Sequence, residues 1–372
     1  MRKAFLFLFS TILFGECDGR IVSSIEIRIN DLFTESQIDI VKTASNLKIN
    51  TSPTIIKKII PIKEGDICSS LKISETERKL RSFGVFRNVS VQTVNTNDNF
   101  VAVFVNVTDN WTITPRINFD SQKYSVKNFG LQDKNFLGLL KNLSVKKAEK
   151  ELYDEIEISA QDKAFLNSDK RLNLVYSDKS EGKKYGFFLD SGIIDLIQPT
   201  GWSFQSVFDD TSFKRNGTEP VRVYLKEYIQ IKGGYELQNP LAGGEWLKVG
   251  AGVRYENKEI SRKGTDVPPE LDYRWTGPYF RASLHKPAFK SLDYFNYFDF
   301  LEDIDVGFNF TTEVFLAPEI LSSQNTVILS SVLNKGFAIS EECLVFNTVR
   351  KQFRLEEFSN LENGVLDIKS DL

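Results

Sequence analysis

Residues 75–107, ETERKLRSFGVFRNVSVQTVNTNDNFVAVFVNV, decide the fold of the first part of the chain. Leu80 and Phe83 lie on one face of a charged helix pattern, and Gly84 then supplies a left-handed stop. Two strand patterns follow: VSVQTV alternates apolar and polar residues, whereas FVAVFVNV is an almost continuous β-branched and aromatic run. The stretch therefore predicts a helix packed on a small sheet, with the second strand central and covered.

Upstream of this stretch the sequence predicts a strand at residues 22–29 and a helix at residues 54–60, followed by the phrase IKEGD. The resulting order is β-α-α-β-β. With Gly65-Asp66, Glu75, Leu80 and the phrase FGVFRNVSV, the module resembles a POTRA repeat, the periplasmic module that precedes the barrel in BamA- and TamA-like outer-membrane proteins. Residues 31–53 exceed a bare POTRA connection and are interpreted as an insertion.

The resemblance continues beyond the module. TDNWTITP, residues 108–115, resembles the family's entry into its first barrel strand, and NFLG, residues 135–138, resembles the phrase that the family carries after its second strand. KAF, residues 163–165, is similar to the end of the fourth strand. The resemblance implies a barrel of sixteen strands and fades beyond about Phe310.

After Thr112 the sequence itself predicts a membrane barrel, because strand-length segments of alternating hydrophobicity are separated by Gly, Asn, Asp, Ser and Lys clusters. A soluble sandwich also alternates, but several of these runs exceed a dozen residues, and membrane strands are longer than sandwich strands. The alternation predicts that the side chains of Val249 and Phe308 face lipid and that those of Lys248 and Asn309 face the lumen. The clearest alternating runs are residues 155–161, 221–237, 247–256 and 304–311.

The predicted fold is mainly β: a transmembrane antiparallel β-barrel, with about fourteen of the sixteen family strands present, preceded by a small α+β POTRA-like module. The domains are expected at residues 1–19 (signal peptide), 20–108 (module) and 110–372 (barrel). The final NGVLDIKSDL lacks the closing aromatic strand that the family usually shows, so a barrel incomplete at its C-terminus is expected.

The first nineteen residues are typical of a secretory signal, because Met1-Arg2-Lys3 is basic and residues 4–14 are apolar but too short to span a bilayer. Cleavage is expected after Gly19. A lipoprotein anchored at Cys17 is the alternative. Cleavage after Gly19 would leave Cys68 and Cys343 in different domains, so both are expected to be structural thiols.

Composition excludes several classes of protein. No apolar run after the signal is long enough for a membrane-spanning helix, and no basic tract indicates nucleic-acid binding. The chain has 30 Phe and 12 Tyr but a single His, so no histidine triad or multi-histidine metal site can form. His285 has the parity of a lumen residue. We therefore expect neither an enzyme nor a cofactor or metal.

The family resemblance has one clear departure. BamA-like proteins carry an Arg-Gly-Phe/Tyr motif on a loop that folds into the barrel, and the nearest phrase here is Lys335-Gly336-Phe337. Lysine lacks the planar fork of arginine, so this phrase is interpreted as a turn.

The resemblance implies an outer-membrane protein that assists assembly, insertion or translocation of polypeptides by strand templating, with the module in the periplasm. The predicted partner-binding edge strand contains Val89, Val91, Gln92 and Thr93. The expected partners are outer-membrane lipid, unfolded or nascent polypeptides and periplasmic accessory proteins. A passive channel or surface-structural barrel is the alternative. A third class is a barrel that serves a translocated passenger, meaning a fused or partner effector protein. The substrate class, whether membrane barrel, secreted protein or lipid, stays open.

Overall fold

A computed structural model describes residues 17–30, 49–120, 125–150, 153–166, 168–191, 196–214, 223–262, 272–293, 301–338, 344–356 and 360–371. Residues 1–16, most of the expected insertion and Cys343 lie outside the described residues. The helices are α1 (Pro53–Ile59) and α2 (Ser70–Ser82). The strands are β1 (Ile21–Asn30), β2 (Phe86–Asn95), β3 (Phe100–Asp109), β4 (Ile113–Asp120), β5 (Ser125–Phe136), β6 (Lys141–Glu149), β7 (Asp154–Phe165), β8 (Lys170–Lys179), β9 (Gly182–Asp190), β10 (Thr200–Lys214), β11 (Val223–Pro240), β12 (Trp246–Arg262), β13 (Tyr273–Lys286), β14 (Phe289–Asp293), β15 (Leu301–Asp305), β16 (Phe308–Ala317), β17 (Thr326–Ala338), β18 (Leu344–Glu356) and β19 (Asn360–Asp371).

The N-terminal module is a three-stranded sheet in the order β1-β3-β2, with β1 parallel and β2 antiparallel to β3. Ser69 caps the start of α2 by accepting a hydrogen bond from the Lys72 N–H, and Gly84 follows the helix at a φ of 65°. Alternate residues of β3 are fully buried, as the apolar run predicts: Val101, Val103, Val105 and Val107. None of the described helices is long and apolar enough to cross a membrane.

A disulfide joins Cys17 to Cys68 and corrects the prediction that Cys68 is a thiol. The residues around it are built into the module: the Gly19 N–H donates to the Cys68 carbonyl, and the Cys68 N–H donates to the Arg20 carbonyl. Asp18 accepts a hydrogen bond from the Ser70 N–H at the start of α2. The prediction failed because the expected cleavage after Gly19 removed Cys17 from consideration.

The second part of the chain is a fourteen-stranded sheet in which each strand pairs with its neighbours in chain order, apart from the inserted β14 and β15. Described pairings along this sheet are antiparallel. Large apolar side chains on one face are exposed, including Phe129, Val253 and Phe280, whose exposed fractions are 60%, 60% and 53%. Such an apolar outer face is the surface expected of a barrel that contacts lipid. Val249, on the predicted lipid parity, is exposed as well.

The opposite face of the sheet is polar and carries ion pairs across strands. Glu236, Gly250, Arg281 and Glu313 form one row across β11, β12, β13 and β16. Because Gly250 has no side chain, Arg281 reaches over β12 to Glu236 at 3.1 Å, and it also contacts Glu313 at 2.6 Å. Lys232 completes the cluster by binding Glu313 at 2.8 Å. This face of the sheet therefore carries a cluster of paired charges.

The prediction of one strand over residues 304–311 was wrong in one respect, because β15 ends at Asp305 and a separate strand, β16, begins at Phe308. Residues of β14 and β15 form a separate two-stranded hairpin between β13 and β16. The Asp305 carboxylate accepts the Ala288 and Gly307 N–H groups at 3.0 and 2.8 Å, which turns the chain at this point. Asp305 also lies 2.6 Å from the His285 imidazole. Burial opposes ionisation of Asp305, but these hydrogen bonds hold its pKa below the usual range.

Candidate functional site: strand edges of the module and their mounting on the barrel

The module has two strand edges, because β1 and β2 both lie at the margins of the sheet. β2 carries the predicted site residues. The side chains of Val89, Val91 and Thr93 are buried beneath the helices, whereas Gln92 is exposed on the other face. The structure therefore brings the four residues together on one edge strand, and only Gln92 presents its side chain to solvent.

The β2 edge is occupied at Val91. The Val91 N–H donates a 2.7 Å hydrogen bond to Glu77 Oε1 of α2, so this N–H points away from β3 and already has an acceptor. Glu77 also contacts Arg81 at 3.4 Å. An added strand would have to displace Glu77 from Val91. The sequence could not reveal this contact, because it joins residues fourteen positions apart on different elements.

Among the described residues, hydrogen-bond partners occupy the β1 edge only in its first half. The Val22 N–H donates to the Asp66 carbonyl, and the Ile25 N–H donates to Glu64 Oε1 at 3.1 Å. The hydrogen bond that Lys57 donates to Glu64 lowers the pKa of this carboxyl most, and the hydrogen bond from the Ile25 N–H lowers it further. Alternate residues of a strand point their backbone groups to opposite sides, so Ile27 and Ile29 share the outward direction of Ile25. No described residue hydrogen-bonds the outward N–H groups of Ile27 and Ile29.

A buried polar network joins the module to the first turn of the barrel. The Thr51 N–H and hydroxyl both donate to the Asp109 carboxylate at 2.8 Å, and the Asn135 amide donates to the Thr51 hydroxyl at 2.8 Å. Asp109, Thr51 and Asn135 are 0%, 2% and 3% exposed. Because buried polar groups are costly to leave unpaired, this network fixes the end of β3 against the β5–β6 turn.

The NFLG phrase forms that turn, and the contacts of its residues explain why these residue types occur there. The Gly138 carbonyl accepts the Ser52 N–H at 3.0 Å. Gly138 has a φ of 69°, and a Cβ there would lie 2.2 Å from the Asn50 carbonyl oxygen, so no other residue fits. Leu140 follows and is buried in the hydrophobic core of the module. The turn therefore belongs structurally to both domains.

Helix α2 is held to the barrel at its C-terminus and at Glu75 in its first half. At its C-terminus, Lys163 at the end of β7 donates to the Ser82 and Phe83 carbonyls at 3.2 and 3.1 Å, where a cation complements the helix dipole. Nearer its N-terminus, Glu75 accepts the Leu196 N–H at 3.0 Å from the segment between β9 and β10. The KAF phrase thus supplies a helix cap across the domain boundary.

The β14–β15 hairpin makes the third contact with α2. Arg81 binds Asp303 at 2.7 Å, and the two side chains are 12% and 7% exposed. The Arg78 guanidinium lies 4.8 Å from the centre of the Phe289 ring, within cation–π distance. An interdomain ion pair this well buried needs both partners, because a single buried charge is strongly destabilising.

A polar cavity of about 380 Å³ opens between α2, the hairpin and the lumen face of the first four barrel strands. Its basic lining residues outnumber its acidic ones: Arg78, Arg81, Arg116, Lys134 and Lys163 against Glu302 and Asp303. The described residues contain no cluster of His, Cys, Asp and Glu that could hold a metal ion.

Comparison with known proteins finds a family match for the module and several similar solved structures. Residues 36–110 match the family model described as POTRA, surface antigen variable number repeat. No curated protein matches the sequence. Among solved structures the chain is similar to BamA from Haemophilus ducreyi lacking POTRA domains 1-3, at 10% identity and a TM-score of 0.41, over 91% of this chain and 56% of that one.

Two further solved structures are similar to the chain. CdiB from Acinetobacter baumannii has 10% identity and a TM-score of 0.47, over 91% of this chain and 53% of that one. CdiB from Escherichia coli has 10% identity and a TM-score of 0.44, over 92% and 55%. The chain thus spans about half the length of these structures.

The family match identifies a POTRA module in the N-terminal part of the chain, and the second part is a fourteen-stranded antiparallel sheet. The predicted fold class, mainly β with a small α+β POTRA-like module at the N-terminus, is confirmed in this sense.

Proposed function

We propose that this protein receives extended polypeptides at its periplasmic module and assists their assembly, insertion or translocation at the outer membrane by strand pairing. The observation that carries the proposal is the attachment of the module to the barrel. Among the described residues, one edge of the module sheet lacks hydrogen-bond partners along part of its length, and the network of Thr51, Asp109 and Asn135 fixes this sheet to the barrel. Exposed backbone N–H and C=O groups on a strand edge are a template for another extended chain.

Two features support transfer from the module to the barrel. The chain passes directly from β3 at Asp109 to β4 at Ile113, so the module cannot swing freely on a long linker. Among the described residues, β4 pairs only with β5, which leaves its other edge for a second pairing step. A polypeptide bound to the module would therefore lie close to the edge of a barrel strand.

Depletion of the protein tests the proposal. Proteomics of outer-membrane fractions should show other barrels, or secreted proteins, falling in abundance before growth stops. Complementation with wild-type protein should reverse the loss, while a mutant that lacks the module should not. Unchanged outer-membrane and secreted proteomes, together with reduced uptake of small solutes, would instead establish the passive-channel alternative. A change confined to outer-leaflet lipid would identify lipid delivery.

A further inference from the structure

We propose that the polar cavity between α2, the β14–β15 hairpin and strands β4–β7 binds an acidic side chain of an extended polypeptide. The cations that hold its carboxylate are Arg116, Lys134 and Lys163. This inference rests on the proposed function and deepens it, because it names the kind of side chain that the protein receives and the place that receives it. Three features of the cavity support it.

The first feature is a turn that the chain builds twice. Residues 133–137 have the sequence DKNFL, and residues 162–166 have the sequence DKAFL. In each copy the aspartate accepts the N–H of the residue two positions later at 2.9 Å, and the strand pairing shifts its register between the aspartate and the phenylalanine. The leucine has a φ of 57° in the first copy and 56° in the second. The lysines of both copies, Lys134 and Lys163, line the cavity, so one local geometry brings two cations there from the β5–β6 and β7–β8 turns.

The second feature is positive charge that the protein does not neutralise. Arg116 is exposed, and no described residue forms a hydrogen bond or an ion pair with its side chain. Lys163 donates to two backbone carbonyls, but no carboxylate in the described part of the chain pairs with it. One of the two acidic residues that line the cavity, Asp303, is already bound to Arg81. An anion beside Arg116 and Lys163 would therefore gain attraction without displacing a carboxylate from either cation.

The third feature is an internal example of the ligand. Asp303 lies in the extended strand β15, and its carboxylate accepts hydrogen bonds from Arg81 of α2 at 2.7 Å and from the Ser291 hydroxyl of β14 at 2.5 Å. Its side chain is 7% exposed. One wall of the cavity thus already holds a carboxylate that is carried on an extended backbone. A second carboxylate would form charge-assisted hydrogen bonds with the remaining cations and reduce the excess of positive charge.

The size and position of the cavity fit such a ligand. Its volume of about 380 Å³ lies within the range of about 300–1,000 Å³ that ligand sites occupy. Arg116 belongs to β4, the first strand after the module, so a segment held there lies between the module and the barrel. The lining also includes three amide side chains that can hydrogen-bond a peptide backbone: Gln132, Asn142 and Gln161.

A pair of peptides tests the carboxylate directly. Purified full-length protein in detergent micelles is titrated with a fluorescent peptide of alternating threonine and valine that carries one central aspartate, and with the same peptide carrying asparagine. We expect the aspartate peptide to bind about fivefold more tightly, a preference that corresponds to about 1 kcal/mol. The preference should shrink when salt is raised from about 0.1 M to about 1 M, because the screening length falls from about 10 Å to about 3 Å.

Two substitutions on the same face of the sheet locate the site. Arg116→Gln should weaken binding of the aspartate peptide about fivefold and leave binding of the asparagine peptide unchanged. Lys146→Gln is the matched control and should leave both affinities unchanged. Lys146 of β6 shares the face of Asn142, does not line the cavity, and its side chain has no ion pair with any described residue. Far-ultraviolet circular dichroism checks that both variants fold.

Photo-crosslinking in living cells identifies what occupies the cavity. A photo-crosslinking amino acid replaces Gln161, whose side chain lines the cavity and hydrogen-bonds no described residue. Ultraviolet light is applied to cells that make the full-length protein. We expect polypeptide adducts, and about fivefold fewer of them when Arg116→Gln is present than when Lys146→Gln is present.

The outcomes separate this inference from the proposed function. Equal binding of the two peptides, or equal losses in Arg116→Gln and Lys146→Gln, overturns the carboxylate site. Adducts with lipid alone at position 161 overturn it in favour of a phosphate headgroup, and absence of adducts at this position overturns it as well. The proposed function is decided separately by depletion, since a fall in other barrels or secreted proteins would leave it standing in each of these cases.

Discussion

The Asn135 side chain donates a 2.8 Å hydrogen bond to the Thr51 hydroxyl, and through it the first barrel turn is joined to Asp109 at the end of the module. Asn135 also accepts the Leu140 N–H at 2.9 Å. Asn135→Ala leaves the buried Leu140 N–H without its acceptor and removes one of the two hydrogen bonds of the Thr51 hydroxyl, which still donates to Asp109, at a cost of about 1–3 kcal/mol. We expect faster hydrogen exchange at Thr51 and Ser52 in the full-length protein.

Asn142→Ala is the matched control for that substitution. Asn142 accepts a hydrogen bond from Gln132 on the lumen face and does not contact Thr51 or Asp109. Its loss should leave exchange at residues 51 and 52 unchanged. If Asn135→Ala also leaves it unchanged, the network does not fix the module.

The ion pair between Arg81 and Asp303 predicts a specific double-mutant result. Because the pair is well buried, Asp303→Ala should leave Arg81 with only its longer contact to Glu77 at 3.4 Å and destabilise the contact by about 1–3 kcal/mol. The hairpin should then become sensitive to protease in the full-length protein. Arg81→Met combined with Asp303→Leu should recover much of the resistance, because no buried charge remains. Equal protease sensitivity of the single and double variants would contradict the assignment.

The module was largely predictable from sequence, and the interface was not. The β3 run, the Gly84 stop and the buried Leu80 of α2 follow from local periodicity and backbone geometry, so β-α-α-β-β could be read directly. Glu75 and Lys79 of the charged helix pattern are buried as well, which the pattern did not predict. Thr51, Asp109 and Asn135 carry no local signal, because their pairing depends on where two domains meet. The phrase NFLG identified the turn, but only the structure gave its role in binding the module.

In the barrel, too, the local strand pattern was predictable from sequence and the long-range contacts were not. Alternating parity predicted about fourteen strands and the exposed position of Val249. The hairpin was missed because residues 304–310 alternate as well as a barrel strand does, and the break is made by Asp305 binding the Ala288 and Gly307 N–H groups. A side chain that ends a strand by capping distant backbone groups leaves no periodic trace in the sequence.

The disulfide predicts where the mature protein begins. Cys17 is bonded to Cys68, and Asp18 caps the start of α2, so cleavage after Gly19 would remove both contacts. We expect the exported protein to begin at or before Cys17, and terminal sequencing of the outer-membrane form checks this. A mature terminus at Arg20 would contradict it. A lipid on Cys17 would exclude the disulfide in the same molecule.

Loss of the disulfide has a measurable cost. The bond closes a loop with a sequence separation of 51, so Cys17→Ser with Cys68→Ser should destabilise the module by about 2–4 kcal/mol. Hydrogen exchange in β1 and α2 should increase, while exchange in β12 should not. Cys343→Ser is the control for loss of a cysteine elsewhere in the chain.

The two faces of the barrel predict opposite responses to one substitution. Ile231 lies in the middle of β11 and is 40% exposed on the outer face, whereas the adjacent Gln230 accepts a hydrogen bond from Gln205 on the lumen face. Ile231→Arg should cost about 2–4 kcal/mol in a lipid bilayer, and Gln230→Arg should be milder. Urea unfolding in vesicles measures both. Equal costs at the two neighbouring positions would contradict the lipid-facing parity.

Asp66 predicts the response of the module to acid. Its carboxylate accepts hydrogen bonds from Lys72 Nζ at 2.9 Å and the Lys63 N–H at 3.0 Å. Burial opposes its ionisation, but these bonds outweigh burial and lower its pKa below the usual range of an aspartate. A depressed folded pKa means that the contribution to stability is complete above the unfolded pKa and is lost as pH falls through the folded value.

Asp66→Asn should therefore destabilise the module by about 1 kcal/mol at neutral pH, and its difference from wild type should shrink below about pH 4. Hydrogen exchange of the α2 amides in the full-length protein, corrected for the intrinsic effect of pH on exchange, measures this difference. Asp98→Asn in the exposed turn between β2 and β3 is the control and should show no such trend. A difference between Asp66→Asn and wild type that persists unchanged into acid would mean that Asp66 acts through shape rather than charge, since the protonated carboxyl and the amide would then not be equivalent.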